Sequence, residues 1–169
     1  MRIRNSCVAA VVLATVGSAA LYGAGPASAD IIDTKYVSDN CVFDGCSEGD
    51  LYMNYHSVAK SGQENPTGSF ASFYGNIYNH GYTDVPARGT NVFIRYVFVF
   101  AAGEGDGSGA AVKNNAASAN DCSTVDQYRV YYNSGYAGHS QLISHVYGCT
   151  GSYNLDSTLK NNNASSHFG

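Results

Sequence analysis

The chain has 169 residues, with nine Lys and Arg against thirteen Asp and Glu, which gives a formal net charge of −4 with histidine neutral. A negative chain is a poor partner for nucleic acid or an anionic membrane, so no nucleic acid and no membrane partner is expected. Fourteen Tyr, seven Phe and no Trp favour β-structure over helix.

The first 29 residues have the pattern of a secretory signal peptide. Arg2 and Arg4 precede an apolar stretch over residues 7–21, and Ala27-Ser28-Ala29 is typical of a cleavage site. The prediction is therefore a secreted, extracellular protein that begins at Asp30. Cleavage removes two of the nine basic side chains, which leaves seven against thirteen acidic ones and a net charge of −6. The remaining length suits a single domain.

Residues 30–40 are polar and without a clear period, which predicts a flexible N-terminal arm. Four cysteines follow it, and an even number in an exported protein predicts two disulfides with three possible pairings. The pairs Cys41–Cys46 and Cys122–Cys149 are favoured because each then lies within one half of the internal repeat described below. Zinc is disfavoured, since the chain has no C-x2-C pair.

The middle of the chain alternates strand and loop patterns. Residues 51–56 alternate apolar and polar side chains, as a half-buried strand does, and residues 70–78 are aromatic and strand-like. Residues 61–69 and 79–90 are rich in loop-forming residues and predict two loops, the second exposed. Residues 91–100 are the most hydrophobic part of the mature chain, which predicts a strand buried on both faces.

A glycine-rich stretch, residues 103–109, follows. It lacks the lysine of a phosphate-binding loop and occurs once, whereas calcium β-rolls need a series, so a flexible turn is the favoured interpretation. The alternation of Tyr128, Val130 and Tyr132 then predicts another strand, and strand-like residues continue to Tyr147.

Two stretches near the ends of the proposed halves repeat each other. Val112-Lys113-Asn114-Asn115 is matched by Leu159-Lys160-Asn161-Asn162, and serine follows at Ser118 and Ser165. The repeat predicts two related halves, about 41–120 and 121–169. Oxygens this dense either satisfy the backbone of a tight turn or coordinate a hard cation. Tyr55 and Tyr131 are 76 residues apart but the two lysines only 47, so the first half carries about thirty extra residues, expected within 62–89.

The second half carries a more specific pattern. Tyr131, Tyr136 and Gly138 have the spacing Y-x-x-x-x-Y-x-G, which resembles the signature of a βγ-crystallin Greek key, and N-N-x-x-S-S resembles the calcium motif of the same family. In the first half Tyr55 and Gly62 keep the spacing, but Lys60 replaces the second aromatic residue. Together with the signal peptide and the N-terminal cysteine pair, the chain resembles the secreted bacterial peptidase-inhibitor family with a βγ-crystallin-like fold, whose characterised members inhibit metalloproteinases.

The resemblance implies an all-β, βγ-crystallin-like sandwich of two Greek-key motifs with roughly eight strands, spanning residues 41–169. It implies a monomeric inhibitor of extracellular metalloproteinases and no enzyme activity. It also implies weak Ca²⁺ sites in which Ala119 departs from the consensus. Their ligands would be the side chains of Asn114, Asn115, Ser118, Asn161, Asn162 and Ser165 and the carbonyls of Ala116 and Asn163.

Several alternatives stay open. One alternative function is a calcium-binding structural or adhesion module without a peptidase target. A separate alternative concerns the motifs, whose Asn and Ser side chains could bind no cation and serve only to hold a turn. A hydrolase is disfavoured because H-E-x-x-H does not occur, and the tyrosines could line a carbohydrate-binding face. For inhibition, Val85 and Pro86 in the second loop are preferred to residues 61–69, because proline stiffens the chain.

Overall fold

The computed structural model describes residues 30–88, 91–125 and 127–168. The predicted signal peptide lies outside the described residues. Within them the chain is all-β, as its composition predicts, and no helix is long and apolar enough to cross a membrane. The strands are β1 (Asp30–Val37), β2 (Leu51–Asn54), β3 (Phe70–Phe73), β4 (Tyr82–Pro86), β5 (Val92–Phe98), β6 (Ser118–Asp121), β7 (Tyr128–Asn133), β8 (Ala137–Ile143), β9 (Tyr153–Asn154) and β10 (Ser165–Phe168); the helical turns are α1 (Cys41–Asp44) and a 3-10 turn (Tyr147–Cys149).

The strands form three sheets. Sheet I has the order β3-β2-β6-β9, sheet II β10-β7-β8, and sheet III β1-β5-β4. All pairings within these sheets are antiparallel except β1 with β5, which is parallel. The alternation over residues 51–56 therefore does mark a strand, and the strand predicted at Tyr128 is also present.

Burial follows the period of two that a strand imposes. Leu51 and Met53 of β2 are fully buried, and they pack in one cluster with Tyr128 and Val130 of β7 and with Phe98 of β5. Each such side chain contributes about 1.5–3 kcal/mol on burial. The core therefore joins all three sheets.

The two halves exchange segments. In sheet I, β9 from the second half pairs with β6 from the first, and Ala119 faces Tyr153. In sheet II, Ile77 from the first half forms an isolated antiparallel bridge with Ser166 of β10, which belongs to the second half. Because each half completes the sheet of the other, neither half can bury its strands alone.

The exchange locates the extra residues of the first half. Ile77 and Tyr153 are the exchanged residues of the two halves, and they are 76 residues apart in sequence. Ser118 and Ser165 begin the equivalent strands β6 and β10, and they are only 47 residues apart. The difference, 29 residues, therefore lies between Ile77 and Ser118, which overlaps the range 62–89 expected from sequence only over residues 78–89. This insertion contains β4 and β5.

Sheet III differs from the sequence-based expectations in three ways. Residues 30–37 are strand β1, paired along β5, where a flexible arm was expected. The loop expected over 79–90 contains strand β4 instead, and β5 is only half-buried over most of its length. The partner of β1 is remote in sequence, and local composition carries no information about such a partner, whereas β4 pairs with β5, the next strand along the chain.

The cysteines pair as the repeat favours. Disulfides join Cys41 to Cys46 and Cys122 to Cys149. Residues 103–109 form successive turns without a strand, and Gly103, Gly105, Gly107 and Gly109 all have positive φ. These turns agree with the high glycine content of residues 103–109, because glycine adopts a positive φ without steric cost.

Candidate functional site

The repeated motifs contact each other in a reciprocal pattern. The amide of Asn114 donates to the carbonyl of Asn163 at 2.9 Å, and the amide of Asn161 donates to the carbonyl of Ala116 at 2.8 Å. Asn114 and Asn161 have left-handed φ values of 65° and 59°, which asparagine tolerates better than most residues. The two predicted carbonyl ligands are thus already acceptors of backbone hydrogen bonds.

The motif serines hold hairpins. Ser118 donates to the carbonyl of His56, and Ser165 donates to the carbonyl of Asn133, both at 2.7 Å, and both hydroxyls are fully buried. Ser165 also accepts the amide of Tyr136 at 3.0 Å. The serines predicted as calcium ligands therefore have a turn-holding role in this structure.

The hairpin of the second half is folded back at Gly138. Its φ is +79°, and a Cβ there would approach the Nδ2 atom of Asn133 to 2.8 Å, so only glycine fits. Tyr131 and Tyr136 meet edge to face with ring centroids 6.1 Å apart. The aromatic spacing that identifies the second half thus corresponds to a real contact.

Two cavities lie where the motifs meet the hairpins, and their linings are equivalent in the two halves. Cavity 1, about 520 Å³, is lined by Tyr55, His56, Ser57, Asn115, Ala117, Lys160 and Asn161. Cavity 2, about 200 Å³, is lined by Lys113, Asn114, Tyr132, Asn133, Ser134, Asn162 and Ala164. Each cavity combines the second Asn of one motif with the lysine and first Asn of the other.

The ammonium group of Lys113 makes cavity 2 unfavourable for cations. The ammonium of Lys113 donates to Oγ of Ser134 at 2.9 Å and to Oδ1 of Asn79 at 3.2 Å. It therefore occupies oxygens that a calcium ion would need and adds a repelling charge. Cavity 2 does not fit Ca²⁺.

Cavity 1 differs at the equivalent serine. The Oγ atom of Ser57 is buried and has no hydrogen-bond partner among the described residues. Asn115 and Asn161 lie in the same lining and carry amide oxygens, which suit a hard cation, but the lining contains no carboxylate and includes Lys160, whose charge repels a cation. Within the described ranges there is also no group of three or more His, Cys, Asp or Glu side chains that could hold a metal. Cavity 1 therefore fits at most weak calcium binding.

A buried polar cluster below the motifs was not anticipated from the sequence. His80 is fully buried, stacks on Phe73 at 5.3 Å, accepts from Nδ2 of Asn163 at 3.1 Å and lies 2.9 Å from Oγ of Ser166. Burial, with a smaller contribution from the charge of Lys113, lowers its pKa to about 3. Its only sequence signal was a histidine within a stretch of loop composition.

The loop over residues 61–69, the second inhibitory candidate, is braced by one side chain. Nδ2 of Asn65 donates to the carbonyl of Cys149 at 2.8 Å, and its Oδ1 accepts from Ser152 at 2.8 Å and from Asn120 at 3.2 Å. Two backbone hydrogen bonds with Ser152 flank this side chain. The amide of Gly62 donates to the carbonyl of Ser152, and the amide of Ser152 donates to the carbonyl of Glu64. The loop is thus attached to the Cys122–Cys149 disulfide while alternate residues stay exposed.

The first inhibitory candidate, Val85 and Pro86, is not in a loop. Both residues belong to β4, where Val85 faces Ile94 and Pro86 faces Phe93 of β5. Asp84 and Arg95 form a two-pronged ion pair with both contacts at 2.8 Å, and this hydrogen bonding lowers the pKa of Asp84. The prediction that Val85 and Pro86 lie in a loop is therefore wrong, although the strand that contains them, β4, is at an edge of sheet III.

Comparison of the chain with known protein families, with curated proteins and with solved structures found no match.

Proposed function

We propose that the chain is a secreted inhibitor of an extracellular peptidase, of the metalloproteinase class, built on a βγ-crystallin-like pair of Greek keys. The Y-x-x-x-x-Y-x-G spacing supports the fold, as does the segment exchange between the halves. The disulfides suit an oxidising compartment. The resemblance to the inhibitor family supports the activity.

The observation that carries the proposal is the bracing of residues 61–69 by Asn65. A peptidase inhibitor needs an exposed, extended segment that keeps its shape in the cleft of the enzyme, so that little ordering entropy is lost on binding. Asn65 supplies this rigidity from inside the loop, through bonds to Cys149, Ser152 and Asn120. The neighbouring Gln63 and Thr67 are exposed and free to contact an enzyme. In this proposal the loop 61–69 replaces the segment at Val85 and Pro86.

The test is an inhibition panel over secreted metallo- and serine peptidases with the mature protein at equimolar and excess concentration. Thr67→Asp should abolish inhibition with little change in melting temperature, because exposed loop positions contribute within about 0.5 kcal/mol to stability. Val125→Asp adds the same charge at another exposed loop residue, 88% accessible, and should leave inhibition intact. Val85→Asp tests the edge strand β4 in the same assay.

If Val85→Asp abolishes inhibition and Thr67→Asp does not, the contact segment is β4. If no peptidase of the panel is slowed, the inhibitor function itself is refuted.

The second candidate function is a calcium-binding structural or adhesion module. The unpaired Oγ of Ser57 in cavity 1 favours it, since a buried hydroxyl without a partner is costly and a cation would satisfy it. Such a module would melt at a higher temperature in calcium at about 10⁻⁴–10⁻³ M and above, yet would slow no peptidase. Melting curves with calcium and with magnesium, run beside the inhibition panel, distinguish the two functions.

A further inference from the structure

Sheet I has a second face that its core packing does not use. On β2, Leu51 and Met53 point into the core, so Tyr52 and Asn54 lie on the opposite face. Phe70 faces Asn54 across the β2–β3 pair, and Asn120 faces Tyr52 across the β2–β6 pair. This outer face therefore combines two aromatic rings with two amides.

Two loops enclose that face. Residues 61–69 approach it from one side and the glycine-rich turn from the other, and Ser69 links them by donating its amide to the carbonyl of Asp106 at 3.0 Å. The result is a cleft of about 480 Å³, with Thr67 and Glu104 also in its lining. This volume lies within the ~300–1,000 Å³ usual for sites of small ligands.

The aromatic side of the cleft is formed by Tyr52 and Phe70. Their ring centroids are 5.5 Å apart with the planes tilted by 48°, and both side chains are half-buried, so each keeps part of its surface open. The hydroxyl of Tyr52 donates to Glu48, which orients the ring. Such rings offer flat apolar surface to a ligand.

The floor of the cleft is polar and incompletely satisfied. Asn54 and Asn120 are 8% and 3% exposed. Nδ2 of Asn120 donates to Asn65 and to the carbonyl of Cys149, but its Oδ1 has no hydrogen-bond partner among the described residues. Buried amide oxygens are nearly always paired, so this one would gain a hydrogen bond if a small shift of the Asn120 side chain brought it into contact with a ligand donor.

We propose that this cleft binds a neutral saccharide. A pyranose ring has apolar C–H faces that can lie on Tyr52 or Phe70 and hydroxyl groups that can donate to Asn120 and Thr67. A purely apolar ligand would leave the amides unpaired, which such sites reject. An anionic ligand is disfavoured by Glu104 in the lining and Glu48 beside it, because the described lining contains no Lys or Arg. The proposal goes beyond peptidase inhibition and does not depend on it.

The experiment uses the mature protein and a panel of neutral oligosaccharides, namely β-1,4-linked glucose and N-acetylglucosamine, α-1,4-linked glucose and α-linked mannose. Binding is measured by saturation-transfer NMR and calorimetry, with galacturonate oligomers as the anionic comparison. At least one neutral sugar should bind with a Kd of about 1 mM or tighter. Phe70→Ala should weaken that binding at least about tenfold, whereas Tyr36→Ala, which removes an exposed ring on β1 away from the cleft, should not.

Tyr52→Ala gives the same information from the other ring if Phe70→Ala does not fold, and Tyr52→Phe should retain binding because the ring remains. The proposal is overturned if no neutral sugar binds at about 10 mM, if only the anionic oligomers bind, or if binding survives both ring deletions. Because the readout is binding rather than inhibition, a negative result here leaves the inhibitor function untouched, and a negative peptidase panel leaves the saccharide site untouched.

Discussion

His80 shows how burial alone can set the chemistry of a residue. Its ring is enclosed in the core, and the Asn163 Nδ2 donor makes its Nδ1 an acceptor, so the proton of the neutral ring is on Nε2, directed at Ser166. A second proton would break the contact with Asn163 and place a charge in an apolar surrounding. Burial, and to a smaller extent the charge of Lys113, lowers the pKa of His80 from the ordinary 6.5 to about 3.

This depressed pKa predicts a loss of stability in acid. Below pH 6.5 the unfolded chain protonates His80 while the folded chain does not until about pH 3. Protons therefore favour unfolding, and this residue should contribute a slope of up to about 1.4 kcal/mol per pH unit below pH 6.5. Urea unfolding of the natural chain and of His80→Gln from pH 7 to pH 5 measures it.

The difference in unfolding free energy between the two proteins should shrink as the pH falls, since the variant lacks the histidine. Equal slopes for both would mean that His80 does not stay neutral.

Lys113 gives a second prediction, which concerns cations. Lys113→Met removes the ammonium from Asn79 and Ser134, so cavity 2 should gain calcium affinity while the folded protein loses about 1 kcal/mol of stability. Lys160→Met, at the equivalent and exposed place in cavity 1, is the matched control. Calorimetry with calcium should detect new binding heat for Lys113→Met that is absent from the natural chain. If neither variant gains heat at millimolar calcium, the motifs serve only to hold the turns.

Among the structural elements, the Cys122–Cys149 disulfide has a role beyond closing a chain loop. Its 27-residue separation predicts a stabilisation of about 4 kcal/mol in the chain-entropy model, against about 2 kcal/mol for the 5-residue separation of Cys41 and Cys46. The carbonyl of Cys149 also anchors Asn65, and through it residues 61–69. The disulfide therefore stabilises the proposed inhibitory loop as well as the fold.

Replacing both Cys122 and Cys149 by serine should thus cost more stability than the same change at Cys41 and Cys46. It should also raise the hydrogen-exchange rates of amides in residues 61–69, because their anchor loosens. Urea unfolding and exchange measured by mass spectrometry test both effects. Unchanged exchange in this loop would show that Asn65 holds it without help from the disulfide.

At the scale of the whole molecule, sheet III is an addition to the two exchanged halves. It combines β1, which precedes the first half, with the inserted pair β4 and β5. β1 buries little, since Ile32 and Tyr36 are 59% and 72% exposed, but it covers one edge of β5 along its length. Its contribution is therefore to edge protection more than to the core.

A chain that begins at Ser38 should accordingly keep its core and self-associate. Without β1, the backbone of β5 is an open edge that can pair with a second copy. Sedimentation of the mature protein, the shortened chain and Tyr36→Ala should show self-association of the shortened chain only. A shortened chain that stays monomeric at the same concentration would mean that another segment covers β5.

The parts of this architecture that were predictable have local or repeated signals. β2 and β7 alternate apolar and polar residues, and the two motifs repeat the same residues at the same spacing. The expected arm over 30–40 failed because residues 30–37 form a strand only by pairing with β5, far along the chain. The expected loop at Val85 and Pro86 failed for another reason, since these residues pair with β5 directly after them although their proline and the composition around them do not indicate a strand. The floor of the cleft at Asn120 had no signal at all, since a single buried asparagine in a strand is not a pattern.

The sequence by itself determined that the described domain is all-β, that four of its cysteines form two disulfides, and that two motifs recur. These properties depend on side-chain period, on cysteine number and on internal repetition, which can be seen without coordinates. Only the tertiary structure decided that the extra residues follow Ile77, that Lys113 enters cavity 2 while Ser57 is left unpaired in cavity 1, and that Asn65 braces the loop over residues 61–69. Those features arise from contacts between residues remote in sequence, and pairing energies of that kind depend on the partner rather than on the local stretch.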